Sequence, residues 1–185
     1  MKTIVTLLLL LIAYTSFAQK GLPEQFVGHW KGEIEWFRTG VDTARKFKMQ
    51  LHIQPADTAG QYSWKIIYGD NGEDTRPYVL KAIDTANGHW VLDEKNGILL
   101  DQYWIGTKLY SVFSLSGVTI VNSYWREGER LMVEFASFPT KPVRTSGAGT
   151  EEVPAVESYP VRSYQKGILW REEAPQKLPL RKPKK

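Results

Sequence analysis

Apolar and polar residues alternate with a period of two along much of the chain, which is the pattern of β-strands with one buried face. Three segments show it clearly, with apolar residues at Phe47, Met49, Leu51 and Ile53, at Tyr62, Trp64, Ile66 and Tyr68, and at Leu131, Val133 and Phe135. After residue 18, no segment has the three-to-four-residue apolar spacing of an amphipathic helix. The pattern therefore predicts an all-β fold.

Turn residues separate the predicted strands at nearly regular intervals. The strongest signals are Asn71-Gly72, Asn87-Gly88 and Asn96-Gly97, because Asn-Gly readily adopts positive φ at both central positions of a tight hairpin turn. From Trp30 onward the segments amount to about ten strands joined by short connections. We predict an antiparallel up-and-down barrel, because closure removes exposed strand edges. A two-sheet sandwich is the alternative, but its crossing connections are usually longer.

The first eighteen residues have the pattern of a secretory signal peptide. Met1-Lys2 supplies the positive start, Ile4 to Ala13 is almost entirely apolar, and Ser16-Phe17-Ala18 carries small residues at the two cleavage positions. A transmembrane anchor would need about 20 apolar residues, roughly twice this run. The chain has no Cys and no Asn-x-Ser/Thr acceptor, so we expect a periplasmic or secreted bacterial protein that is cleaved after Ala18. No membrane span is predicted in the mature chain.

The remaining sequence divides into a barrel domain over residues 19–170 and a basic tail over 171–185. Residues 139–154 are rich in Pro, Gly and Thr and have no apolar period, so we predict a long loop outside the sheet. A last strand is predicted from Val156 to Gln165. Most of the formal charge of +4 comes from the tail. A nucleic-acid partner is not predicted, because it would require a basic stripe across a folded face.

Catalytic and metal-binding motifs do not occur in the sequence. The chain has no Cys, and the spacing of His29, His52 and His89 matches no metal motif. It contains neither a nucleophile elbow nor a glycine motif for phosphate or dinucleotide binding. We therefore assign no catalytic residue, metal or cofactor.

Aromatic residues are the most suggestive feature of the predicted interior. The chain contains 7 Trp, 9 Tyr and 7 Phe, and Trp64, Trp104, Phe113 and Tyr124 could line a cavity for a small hydrophobic ligand. The alternative is that these four side chains fill the barrel as a solid core. Residues Ile98 to Ile105 are apolar on both faces, which a homodimer or another partner surface would explain, as would a misplaced strand boundary.

Both ends of the predicted barrel resemble known families. The segment Phe26-Val27-Gly28-His29-Trp30-Lys31-Gly32 resembles the opening strand of intracellular fatty-acid-binding proteins, and its G-x-W core, Gly28 and Trp30, is shared by lipocalins and related calycins. The segment Val161-Arg162-Ser163-Tyr164 is similar to the R-x-Y segment that closes the same barrels. The resemblance implies a calycin-like barrel in which Arg162 and Tyr164 reach inward and hold a fatty-acid carboxylate.

Two other positions of Arg162 remain open. A basic side chain from a late strand packs over the G-x-W tryptophan in many calycins, so Arg162 could stack on Trp30, or it could point into solvent. The function predicted from the sequence is binding of a small hydrophobic or amphipathic molecule, with a carboxylate as its candidate polar group. The alternative is an envelope interaction module with a solid barrel core, and a barrel enzyme is the least favoured.

Export gives the first testable prediction. If Ser16-Phe17-Ala18 is the cleavage site, the mature protein begins at Gln19 and is recovered in the envelope or the medium. N-terminal sequencing of the protein from its own host checks this, and an intact Met1 on membrane-embedded protein would contradict it.

Overall fold

A computed structural model describes residues 23–172, which form a closed barrel of ten antiparallel strands and a separate two-stranded sheet. Neighbouring barrel strands follow one another in chain order, so the predicted all-β up-and-down barrel is confirmed. The described residues contain no α-helix and no helix long and apolar enough to cross a membrane. The strands are β1 (Gly28–Arg38), β2 (Arg45–Pro55), β3 (Gln61–Tyr68), β4 (Asp74–Asp84), β5 (His89–Asp93), β6 (Leu99–Ile105), β7 (Lys108–Leu115), β8 (Val118–Glu127), β9 (Arg130–Pro139), β10 (Arg144–Ser146), β11 (Val156–Ser158) and β12 (Ser163–Arg171).

Pairing between the first and last strands closes the barrel. β12 is hydrogen-bonded to β9 on one side and to β1 on the other. The β1–β12 register runs from Trp30 opposite Arg171 to Arg38 opposite Ser163. Because every barrel strand has two neighbours, the barrel presents no free strand edge to another chain.

Residues that alternate in the sequence alternate between the interior and the surface of the barrel. Met49, Leu51 and Ile53 of β2 and Leu131 of β9 are fully buried, and Trp64 of β3 is 1% exposed. The period-two prediction is confirmed for these strands, because side chains of one strand point in turn to the two faces of the sheet.

The Asn-Gly pairs lie in turns, but they do not form the two-residue hairpins that we expected. In each pair the glycine alone has a positive φ, of 74° at Gly72, 69° at Gly88 and 97° at Gly97. These connections are longer than two residues, and two of them contain a second left-handed residue outside the pair, Gly69 at 88° and Lys95 at 60°. The turn with positive φ at both positions is Ser116-Gly117, at 49° and 77°, directly between β7 and β8.

The segment between β9 and β12 forms a hairpin outside the barrel, in which β10 pairs with β11. Apart from Pro139, which ends β9, the predicted loop over residues 139–154 does lie outside the barrel sheet, but it contains β10. The prediction of one last strand from Val156 to Gln165 is wrong. This stretch is divided between β11 and the start of β12, and Pro160 lies between them without an N–H group to donate to a sheet.

The predicted domain limits are only partly within the described residues. β12 ends at Arg171, one residue beyond the predicted end of the barrel domain. The predicted signal peptide and nearly all of the predicted basic tail lie outside residues 23–172.

One end of the barrel, where β1 begins and β12 ends, is covered by the segment that precedes β1. A 3-10 helix over Glu24–Phe26 places Phe26 over the interior, and both Phe26 and Trp30 are fully buried. The Trp30 indole Nε1 donates a hydrogen bond of 2.7 Å to the carbonyl oxygen of Phe26. We call this the closed end.

Two arginines hold the covering segment at the closed end. The guanidinium carbon of Arg171 lies 5.0 Å from the centre of the Trp30 ring, and that of Arg126 lies 5.5 Å from it. Arg171 Nη2 donates to the Val27 carbonyl at 2.5 Å, and Arg126 Nη1 donates to the Gln25 carbonyl at 3.2 Å. Each arginine therefore links the barrel wall both to the tryptophan ring and to the backbone of the covering segment.

Replacing Arg171 tests this arrangement. Arg171→Gln should lower the free energy of unfolding by about 1–3 kcal/mol, because it removes a cation–π contact and a charged hydrogen bond. Arg162→Gln is the matched control, since Arg162 is exposed and precedes β12, and its effect should stay within about 0.5 kcal/mol. Urea denaturation measures both values, and equal stability of the two variants would contradict the role given to Arg171.

Candidate ligand-binding site

The end of the barrel opposite the closed end opens into a cavity of about 850 Å³. We call it the open-end cavity. Its walls carry aromatic side chains from five strands, namely Trp36, Phe47, Tyr68, Phe113 and Phe135. Small residues lie between these rings and leave the space unfilled, namely Gly69, Ser116, Ala136, Ser137 and Ser163. The cavity is therefore a largely apolar chamber that is open to solvent at one end.

Aromatic rings in edge contact form the floor of the open-end cavity and continue toward the closed end. Tyr124 is 3% exposed and lies edge-on to Phe135, with ring centres 6.0 Å apart, and to Trp64, with ring centres 5.2 Å apart. Trp64 contacts Phe26 in the same way at 6.1 Å, and Phe26 contacts Trp104 at 5.9 Å. The half of the barrel nearer the closed end is thus a solid core.

Four charged side chains line the open-end cavity, namely Arg45, Lys46, Asp74 and Arg76. Lys46 forms ion pairs with Glu33 and Glu35 on β1. The Arg76 guanidinium binds the Asp74 carboxylate through Nε at 3.1 Å and Nη2 at 2.6 Å. These hydrogen bonds keep the pKa of Asp74 below its usual value and that of Arg76 above its usual value. Arg45 instead lies 5.5 Å from the centre of the Trp36 ring, and it has no ion pair with a carboxylate among the described residues. Arg45 is therefore the cation best placed to bind an anionic group.

Three buried polar atoms inside the barrel have no hydrogen-bond partner among residues 23–172, namely the indole Nε1 of Trp36, the indole Nε1 of Trp64 and Oδ1 of Asn122. Asn122 lies on β8 between Ile120, which lines the cavity, and Tyr124 of the floor. An unpaired buried acceptor costs about 1–3 kcal/mol, so a donor group that reaches Asn122 would be favoured there. Sequence reasoning missed Asn122, although the alternation with its two apolar neighbours places it on the inward face.

The four aromatic residues predicted to line a cavity lie at different heights in the barrel. Phe113 lines the open-end cavity directly. Tyr124 forms part of its floor, Trp64 packs below Tyr124, and Trp104 packs against Phe26 at the closed end. The structure thus places one of the four in the cavity wall and the others in the core beneath it. Their role in ligand binding stays a prediction.

The inward orientation implied for Arg162 and Tyr164 is wrong. Arg162 is exposed and precedes β12, while Tyr164 is 36% exposed on the outer face, where its hydroxyl donates to Glu134 Oε1 at 2.7 Å. The reason is the register of β12, which turns Ser163 and Gln165 toward the cavity and Tyr164 between them outward. The two side chains therefore do not form a carboxylate site inside the barrel.

The G-x-W residues belong to the closed end. Trp30 is covered by an arginine of the last strand, as one of the alternatives for Arg162 supposed, but that arginine is Arg171. Gly28 has a φ of 147°, and a β-carbon there would lie 3.3 Å from the Arg171 guanidinium. The glycine thus leaves room for the arginine that covers the tryptophan.

Neither family models nor curated proteins match this chain. Among solved structures, its fold is similar to that of a protein of unknown function from the DUF3598 family of Nostoc punctiforme, with a TM-score of 0.58 and 13% sequence identity. The match covers 80% of this chain and 48% of that one, so this chain spans about half the length of the protein it matches. At this identity the likeness shows the fold alone.

Buried phenols of the cavity and its floor should make the protein sensitive to alkali. Burial raises the pKa of Tyr68 to about 12 and that of Tyr124 well above its usual value. Phenols of the unfolded chain titrate near about 10, so the stability that these groups contribute is present below that pH and is lost as the pH rises toward about 12. Urea denaturation between pH 8 and pH 11.5 should show this loss.

The Tyr68→Phe variant should show a smaller loss of stability over the same pH range. Tyr103→Phe is the control, because Tyr103 is 45% exposed on the outer face of β6. A pH dependence unchanged by Tyr68→Phe would contradict the burial of the Tyr68 phenol.

Proposed function

We propose that this protein binds a small hydrophobic or amphipathic molecule in the open-end cavity. The observation that carries the proposal is the cavity itself. Its volume of about 850 Å³ falls within the range of ligand pockets, roughly 300–1,000 Å³, and such pockets are mostly apolar with a few placed polar groups. A ligand would lie with its apolar part against Phe47, Phe113 and Phe135.

In this proposal Arg45 binds the carboxylate of the ligand, the role that the sequence suggested for Arg162. The Arg76 charge is already balanced by Asp74, whereas Arg45 rests on an aromatic ring at the cavity wall. A guanidinium is always charged and matches the geometry of a carboxylate. An amphipathic carboxylate would therefore place its head group at Arg45 and its apolar chain toward the Tyr124 floor.

A calycin relationship and export are further parts of the proposal. The relationship is supported by Gly28 and Trp30 at the start of the first barrel strand and by the stacking of Arg171 from the last strand on Trp30. Export is supported by the apolar run and the Ser16-Phe17-Ala18 cleavage pattern. A ligand-binding barrel in the envelope or the medium would meet lipids and other apolar molecules from outside the cytoplasm.

A protein-interaction role is the second candidate. Its support is a group of exposed apolar side chains on the outer face of β6 and β7, with exposed fractions of 61% at Leu99, 62% at Ile105 and 63% at Val112. Contiguous exposed apolar residues often mark partner surfaces. This role does not need the cavity, so a ligand titration separates the two candidates.

Titration of the delipidated protein with dodecanoic acid and with 1-dodecanol tests ligand binding. Both should bind, because both can bury an alkyl chain in the cavity. Arg45→Gln should weaken binding of the acid roughly 10- to 150-fold, the effect of losing a charged hydrogen bond of about 1.5–3 kcal/mol, and should change binding of the alcohol little. Isothermal titration calorimetry measures both affinities.

Two further variants serve as controls for this titration. Arg162→Gln should leave both affinities unchanged, because Arg162 is exposed outside the cavity. Ser163→Phe places a ring in the cavity and should weaken both ligands while the melting temperature shows that the barrel is folded. If neither compound binds the unmutated protein, or if both bind folded Ser163→Phe normally, the proposal fails.

A further inference from the structure

Three side chains with metal-binding atoms form a row across the outer face of the barrel near the closed end. His52 on β2 lies directly opposite His29 on β1. On the other side of β1, the Glu172 backbone N–H donates to the His29 carbonyl at 2.8 Å. The row thus crosses three adjacent strands in the order β2, β1 and the end of β12. Such directly opposed positions bring β-carbons within about 4.5–5.5 Å.

The side chains of this row are already close together. The imidazole rings of His29 and His52 stack with their centres 4.2 Å apart and their planes 8° apart. One ligating atom from each histidine and one carboxylate oxygen of Glu172 all lie within 4.8 Å of one another. In addition, Nε2 of His52 is buried and has no hydrogen-bond partner among residues 23–172.

We propose that His29, His52 and Glu172 bind one divalent transition-metal ion, with Zn²⁺ as the representative case. Imidazole nitrogens and a carboxylate oxygen are ordinary zinc ligands, whereas calcium and magnesium prefer oxygen alone. With metal–nitrogen distances of about 2.0–2.1 Å, ligands of a tetrahedral ion lie roughly 3.3 Å apart. Rotation of the three side chains can close the present separation, and a fourth position would face solvent.

Two lysines beside the row limit its affinity for a cation. Lys31 Nζ lies 3.8 Å from Glu172, and both side chains are about half exposed, at 52% and 42%. Such an exposed ion pair contributes little, so Glu172 can exchange it for a metal ion. Lys65 lies opposite His52 on β3 and repels a bound cation. Lys65→Gln should therefore strengthen metal binding.

A metal ion at this row would join β1 to both of its neighbours at the seam where the barrel closes. It would bind the folded chain in preference to the unfolded one, so above the dissociation constant it should raise the melting temperature with the logarithm of its concentration. The row lies outside the barrel near the closed end, whereas the open-end cavity lies inside the other end. Metal binding therefore does not rest on the proposed ligand-binding function.

Metal titration of the chelator-treated protein, purified without a polyhistidine tag, tests the proposal. Zn²⁺ should bind with a stoichiometry of one by calorimetry and raise the melting temperature, and Co²⁺ should give visible absorption stronger than that of the hydrated ion. His29→Gln and His52→Gln should each weaken Zn²⁺ binding more than about tenfold, and Glu172→Gln about tenfold. Their melting temperatures without metal show whether they fold.

His89→Gln is the matched control. His89 also lies on a barrel strand and stacks on an aromatic ring, that of Tyr103, and it bonds to Asp101 at 2.7 Å, but it lies outside the row. This variant should bind Zn²⁺ like the unmutated protein. The proposal is overturned if the unmutated protein shows neither Zn²⁺ binding nor cobalt absorption, or if His89→Gln weakens binding as much as His29→Gln.

Discussion

The pairing of β1 with β12 is the contact on which the rest of the structure depends, because it turns ten strands into a closed interior. Protein interiors are close-packed, so inward side chains either fill this space or leave a cavity. Near the closed end, Phe26, Trp30 and Trp64 fill it. At the other end, small residues such as Ser137 and Ser163 occupy inward positions. The barrel is therefore solid where its inward side chains are large and hollow where they are small.

The strands and their buried faces could be predicted from local sequence. The side-chain orientation on β12 could not be predicted, because it depends on strand register. Alternation and turn residues act within a few positions, and they were enough for the barrel, the strand number and the inward faces of β2, β3 and β9. The register of β12 depends on its pairing with β1 and β9, and a shift of one residue exchanges its two faces. For that reason Arg162 and Tyr164 point outward although the motif they resemble points inward.

The position of an inward residue along the barrel axis was the other property that the sequence did not predict. Phe113 and Trp104 both lie on inward positions of neighbouring strands, yet one borders the cavity and the other packs at the closed end. Likewise, His29 and His52 are far apart in the sequence and meet through the register of β1 with β2. Distinguishing a cavity wall from a core, or a histidine pair from two single histidines, requires the three-dimensional arrangement of the strands.

The central claim is that the open end, not the outer surface or the closed end, receives the ligand. The seven tryptophans allow a direct test, because Trp36 lines the open-end cavity while Trp170, 58% exposed, lies on the outside near the closed end. A fatty acid carrying a nitroxide spin label should broaden the NMR signal of the Trp36 indole N–H most strongly and that of Trp170 least. Strongest broadening at Trp170, or equal broadening of all seven signals, would contradict the claim.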